Sequence, residues 1–172
     1  HPAVVLDVIT DETVLDLTRQ EADLALRFVR PMQGDLVSTR AALLRYGVFA
    51  SPEYLAGRGA TPGFADLEWI GLNDRFAHLP EAQWLARHAP PPVLRTNSFT
   101  LQFRAAEAGL GAVLTPAPAG ELSGTLVPLH HLAIELPEPA PIWLVTHRVL
   151  RDVPRVAAVW DWLLAMCAEW LA

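Results

Sequence analysis

The chain holds 172 residues, 52% of them hydrophobic and 19% charged, with six tryptophans; that is material for one domain or two small lobes, and it excludes a disordered chain. The 13 basic residues are all arginine, scattered from Arg19 to Arg155 against 19 acidic residues for a formal charge of −6, which leaves no footprint for a nucleic-acid backbone. No stretch reaches the roughly 18 to 20 uninterrupted apolar residues of a membrane span, and the single cysteine, Cys167, excludes intrachain disulfides and cysteine-based metal sites.

Residues 3–9 (AVVLDVI) are β-branched and apolar, which predicts a largely buried strand. Thr10, Asp11, Glu12 and Thr13 form a cluster of helix-capping residues, after which Val14, Leu15 and Leu17 share a helical face up to Gln20. Residues 23–27 (DLALR) read as a short strand. Strand, helix and strand in so short a span predict a βαβ unit and a parallel sheet. Two extended segments are expected between residues 36 and 50, the second being 46–50 (YGVFA). Ser51 and Pro52 then open a short helix closed by Gly57, residues 57–68 form a loop, and residues 68–72 (EWIGL) are a strand.

Pro90, Pro91 and Pro92 forbid a helix where they stand. Residues 93–95 are a short strand, and Thr96, Asn97 and Ser98 are a second capping cluster. The helix after them sets Phe99, Phe103 and Ala106 on one face, Gly109 terminates it, and residues 111–114 (GAVL) form the next buried strand. A loop over 116–124, short strands near 126–127 and 133–136, a hinge over 137–141 and a strand over 142–146 (IWLVT) follow. A final helix over 152–171 carries Val153, Val156, Trp160, Leu163, Leu164 and Cys167 along one stripe. The order predicts two lobes, residues 1–41 with 139–172 and residues 42–138, joined by two crossover segments; ligands favour the cleft between such lobes.

The chemical motifs of enzymes are missing: there is no G-x-S-x-G, H-E-x-x-H, C-x-x-C or phosphate-binding P-loop. Gly57 and Gly59 begin a nucleotide fingerprint that Pro62 breaks. His130 and His131 would point to opposite faces of a strand, so they do not suit one metal ion. Asp7, Asp16 and Asp23 have no paired acid/base partner, and read as solvated or capping carboxylates. No catalytic residue, cofactor or metal site is implied. What remains are three places where a strand feeds a helix: residues 10–13, Ser51, and residues 96–98. Each offers a hydroxyl beside unpaired backbone N–H groups at the positive end of a helix, which suits a carboxylate or another small polar ligand, as well as ordinary capping. Asp11 and Glu12 would disfavour an anion at the first of them.

Five stretches, in order, resemble the effector-binding domain of LysR-type transcriptional regulators: the opening His1-Pro2 with its strand, VLDLTRQEADLALR (14–27), VFASPEYLAGRGATPGFADL (48–67), RTNSFTLQFRAAEAGLGAVLTP (95–116) and PIWLVTHRVLRDVPRVAAVWDWL (141–163). The resemblance implies an α/β fold of the type II periplasmic-binding-protein kind, with two Rossmann-like lobes as regulatory subdomains I and II. It implies effector contacts at Thr10, Asp11, Thr13, Ser51, Thr96, Asn97 and Ser98. It also implies a homodimer or tetramer in the cytoplasm, with no membrane contact. DNA would be read by an N-terminal winged helix-turn-helix outside these residues.

The family's domain begins with a further strand and helix ahead of the segment that matches His1. The first lobe is therefore expected to lack them, to expose apolar surface and to fold poorly by itself. The expected function is that of a ligand-sensing regulatory domain, in which a small-molecule effector shifts the populations of two lobe arrangements and no chemistry is performed. The alternative with the same fold is the solute-binding protein of a transporter.

Overall fold

The computed structural model describes residues 4–10, 15–19, 21–58, 62–132 and 134–168. The chain divides into two compact units, His1–Leu43 with Ala140–Ala172, and Leu44–Pro139.

The first unit is built on a three-stranded sheet. Its strands are β1 (Leu24–Arg27), β2 (Leu36–Leu44) and β8 (Ala140–His147), in the order β1-β8-β2. β1 runs antiparallel to β8, with Leu24 opposite Thr146 and Arg27 opposite Trp143. The expected parallel βαβ unit is not formed. Residues 4–10 have no regular structure, and Val5 and Val8 are 92% and 76% exposed. An apolar β-branched run meets only one requirement of a strand; the other is a neighbouring edge to take its backbone hydrogen bonds, and residues 4–10 pair with none of the three strands. Of the helix expected up to Gln20, the described residues form a 3-10 turn over Leu17–Arg19. Asp16 stands before that turn and not inside a helix. Its carboxylate accepts from the Thr18 backbone N–H at 2.9 Å and hydroxyl at 2.6 Å.

The last helix, α5 (Pro154–Cys167), starts with proline at its first position, where the missing N–H costs nothing. It buries Val156, Trp160 and Cys167 from the predicted stripe, with Leu163 and Leu164 half-buried. The Arg151 guanidinium lies 4.7 Å from the centre of the Trp160 ring.

In the second unit, β3 (Tyr46–Ala50) is flanked by β6 (Val113–Pro116) and β7 (Val127–Pro128), and β4 (Ile70–Leu72) pairs with β5 (Leu94–Thr96). β3 is antiparallel to β6, with Tyr46 opposite Pro116 and Phe49 opposite Val113. β4 is parallel to β5, with Gly71 opposite Arg95 and Leu72 opposite Thr96. A parallel bridge between Trp69 and Ala112 ties the two groups; the Ile70 N–H donates to the Ala112 carbonyl at 2.9 Å and the Ala112 N–H to the Glu68 carbonyl at 2.8 Å. Thus β4, β5 and β6 point one way and β3 the other.

The helices follow from this order. β4 leads through α2 (Pro80–His88) outward to β5, and β5 leads through α3 (Phe99–Glu107) back across β4 to β6. Right-handed connections in opposite directions place the two helices on opposite faces. Packing agrees, because neighbouring strand residues face opposite ways. Ile70 is buried with Ala105 and Ala106 of α3, while Trp69 meets Phe64 at 4.9 Å, and Phe64 in turn meets Trp84 of α2 at 5.4 Å between ring centres.

Three details correct the sequence reading of this unit. The loop expected over residues 116–124 is in part a helix, α4 (Ala117–Leu122), with Pro116 and Pro118 confined to its entry, where they are tolerated. α3 buries Gln102, Ala105 and Ala106, whereas Phe99 is 40% exposed and rests on Phe76 at 5.1 Å; the end of a helix has fewer neighbours than its middle. Residues 134–136 are not a strand, and His130 and His131 stand in a turn, with the His131 Nε2 3.0 Å from the Pro62 carbonyl. Ala133 lies outside the described residues.

Candidate functional site

The direction of the strands decides which candidate residues can act together. Thr96 ends β5 and Asn97 and Ser98 follow it, at the sheet edge that also holds the C-terminal ends of β4 and β6. Ser98 caps α3: its hydroxyl accepts from the Leu101 N–H at 3.2 Å, and its own N–H donates to the Thr96 hydroxyl at 3.0 Å. Thr96 is buried, Ser98 half-buried and Asn97 exposed. The three therefore present a hydroxyl, an amide and the N-terminus of a nine-residue helix at one corner.

Ser51 is not part of that corner. It follows the C-terminal end of β3, which is antiparallel to its neighbours, so it lies at the opposite edge of the sheet. α3 spans roughly 14 Å from Ser98 at one edge to Gly109 at the other, and Gly109 is the residue that meets Ser51. The Ser51 hydroxyl, 3% exposed, accepts from the Tyr54 N–H at 3.2 Å and caps α1 (Pro52–Ala56). That bond gives this serine a structural role. Thr10 is exposed in the first unit, and Asp11 and Thr13 lie outside the described residues.

Two residues at the Ser98 edge were missed from the sequence. Asn73 follows β4, donates its N–H to the Thr96 carbonyl at 2.9 Å, and accepts from the Arg75 N–H through Oδ1 at 3.2 Å. Tyr46 opens β3 at the same edge, and its hydroxyl donates to Oε2 of Glu81 on α2 at 3.1 Å. Burial raises the Glu81 carboxyl above its ordinary value. The Tyr46 phenol is raised as well, by burial first and then by the Glu81 charge. An Asn after an apolar run was visible in the sequence as a capping signal; the Tyr46–Glu81 pair spans 35 residues and leaves no local trace.

Near Ser51 a second polar group serves structure. The Tyr54 hydroxyl donates to Oε2 of Glu68 at 2.6 Å and accepts from the Glu68 N–H at 2.7 Å. Arg58 pairs with the same carboxylate and lies 3.9 Å from the centre of the Tyr54 ring. The hydrogen bond from Tyr54, helped by Arg58, lowers the Glu68 carboxyl below its ordinary value. Among the described residues no group of three or more His, Cys, Asp or Glu could hold a metal ion, and no helix is long and apolar enough to cross a membrane.

The sequence model of the LysR substrate binding domain family matches residues 1–168. The chain belongs to that family. A curated relative, the Mau operon transcriptional activator of Paracoccus denitrificans, is 29% identical over 175 residues, covering 100% of this chain and 58% of that protein. The chain thus spans less than two thirds of that relative's length. The regulatory domain of CrgA from Neisseria meningitidis, described as a LysR-type transcriptional regulator, superposes with a TM-score of 0.76 at 23% identity, over 97% of this chain and 86% of that one. The effector domain of the transcriptional regulator AmpR from Pseudomonas aeruginosa gives 0.67 at 21% identity, over 98% and 83%. The fold is that of LysR effector-binding domains, of the type II periplasmic-binding-protein kind, as the resemblance implied.

Proposed function

We propose that this LysR-family domain senses a small polar or carboxylate effector through Thr96, Asn97 and Ser98, as part of a cytoplasmic transcription regulator that performs no chemistry. The observation that carries the reading is the corner after β5, where hydroxyls, an exposed amide and the start of α3 converge at the carboxyl end of the strands, the place where ligands bind in open α/β sheets. The two compact units serve as subdomains I and II. Ser51 is left out because its strand runs the other way. Family membership favours a regulator over the solute-binding alternative. Dimers or tetramers, and DNA contacts through a separate N-terminal winged helix-turn-helix, complete the proposal.

The test is thermal-shift screening of the full-length regulator against a panel of small carboxylates, followed by calorimetry on the hit. Ser98→Ala and Asn97→Ala are expected to weaken binding about tenfold, the value of one or two hydrogen bonds to a charged ligand. Unchanged affinity in both variants would remove this site from consideration.

A further inference from the structure

The chain passes from the first unit to the second after Leu43 and returns after Pro139. Both crossings are stiff. Arg45 alone separates β2 from β3, and its carbonyl accepts from the Ala117 N–H at 2.7 Å. On the way back, Pro137 and Pro139 restrict the last residues before β8 opens at Ala140. β2 and β8 are neighbours in the first unit's sheet, so the two crossings lead to and from adjacent strands.

One helix holds the chain beside both crossings. Glu81 and Trp84 stand three residues apart on α2, on one face of the helix, and both are buried. The Glu81 carboxyl accepts from the Tyr46 hydroxyl, just past the first crossing, at 3.1 Å. The Trp84 Nε1–H donates to the Glu135 carbonyl, just ahead of the second crossing, at 2.8 Å. The Trp84 ring rests against Phe64 at 5.4 Å and His88 at 4.9 Å between ring centres. The two bonds leave one helical turn about 4.5 Å apart along its axis. A hydrogen-bonded turn moves as a unit, so α2 can follow one crossing only by drawing its bond to the other out of line.

We propose that α2 is a clip on both crossings, with Tyr46, Glu81 and Trp84 as its positioning residues, so that releasing the chain at one crossing also loosens it at the other. The two crossings then bend as one hinge in place of two. The clip is built from bonds within the second unit and does not depend on the proposed effector reading.

The experiment is amide hydrogen exchange, read by mass spectrometry, on the full-length regulator and its variants. Tyr46→Phe removes one oxygen and should speed exchange about fivefold in residues 44–48 and also in residues 134–139, the effect of one lost hydrogen bond. Residues 126–132, whose strand β7 pairs with β3, should change less than 134–139, and α3 should keep the parental rate. Glu81→Leu should reproduce both increases. Glu81→Gln, whose side-chain carbonyl still accepts from Tyr46, should keep the parental rates. Trp84→Phe should loosen residues 44–48 as well as 134–139. The proposal is overturned if Tyr46→Phe changes residues 44–48 alone, if Trp84→Phe leaves them unchanged, or if Glu81→Gln behaves like Glu81→Leu. It is overturned as well if residues 126–132 change as much as 134–139, which would carry the effect through β7, or if α3 quickens equally, which would mean general destabilisation.

Discussion

Ser51 and Gly109 are neighbours: a Cβ on Gly109 would lie 3.7 Å from the Ser51 hydroxyl. The C-terminal end of α3 is thereby anchored beside the N-terminus of α1, and Ser51 and Ser98 stand at opposite ends of the same helix. Ser51→Ala removes the cap on Tyr54 N–H and should cost about 1 kcal/mol of stability, the usual value of an N-cap hydroxyl. Effector affinity in this variant should stay at the parental value, in contrast to Ser98→Ala. Thermal melts and calorimetry on the two variants separate a capping serine from a binding one.

The buried Glu81 carboxyl gives stability a pH dependence with a definite sign. Its folded-state pKa is raised above the ordinary value, so the folded protein holds this proton more tightly than the unfolded chain does. Below the ordinary carboxyl range the group is neutral in both states and costs nothing. As pH rises through that range the folded state must ionise a buried group, and stability falls until the raised pKa is passed. Glu81→Gln keeps a polar partner for Tyr46 without the charge. It should stabilise the protein at neutral pH, with the gain vanishing toward pH 4. Melting temperatures measured across that interval check it; a gain that is constant with pH would show that ionisation is not involved.

Much of the second unit was legible because its signals are local. Ser51-Pro52, Ser98 and Gly109 mark helix ends by capping chemistry that acts within four residues, and the structure uses each of them. Strand direction is not local. Nothing in YGVFA tells that β3 runs against β4, β5 and β6, and that single reversal moved Ser51 out of the candidate site. The first unit was less legible for the same reason. Residues 4–10 have the composition of a buried strand, but a strand exists only where a partner edge receives it, and composition carries no information about partners. The prolines around residue 117 do not forbid the helix there, since the same residue that breaks a helix in its interior is welcome in its first turn.

The Tyr54 hydroxyl both donates to the Glu68 carboxylate and accepts from the Glu68 backbone N–H, so it joins α1 to the segment entering β4. Tyr54→Phe leaves the backbone donor and the carboxylate without that partner and should cost about 1 to 2 kcal/mol. The same change raises the Glu68 carboxyl back toward its ordinary value, because the Tyr54 hydrogen bond is the largest cause of its lowering. A lowered carboxyl contributes stability that is present above the ordinary range and is lost as pH falls through the folded value. The parental protein should therefore lose more stability on acidification than Tyr54→Phe. Carboxyl-resolved NMR titration reads the pKa, and urea melts at neutral and acid pH read the stability.

Phe49 is held between two glycines. It is 1% exposed and packs with Ile70, Ala105, Ala106, Val113 and Leu126 in the core. A Cβ on Gly47 would lie 2.7 Å from the edge of its ring, and one on Gly120 of α4 would overlap the ring itself. Gly120→Ala adds a single methyl group where the core has no room, and should cost about 1 to 3 kcal/mol, the range for overpacking. The cost arises from a clash and not from helix propensity, since alanine is the better helix former. Two further variants test that cause. Gly57→Ala, where a Cβ meets nothing within 4 Å, should leave stability unchanged or slightly raised. Phe49→Leu combined with Gly120→Ala should cost less than the sum of the two single changes, because the smaller side chain vacates the overlapped space. Strict additivity in denaturant melts would mean that Gly120 is required for a reason other than the Phe49 ring.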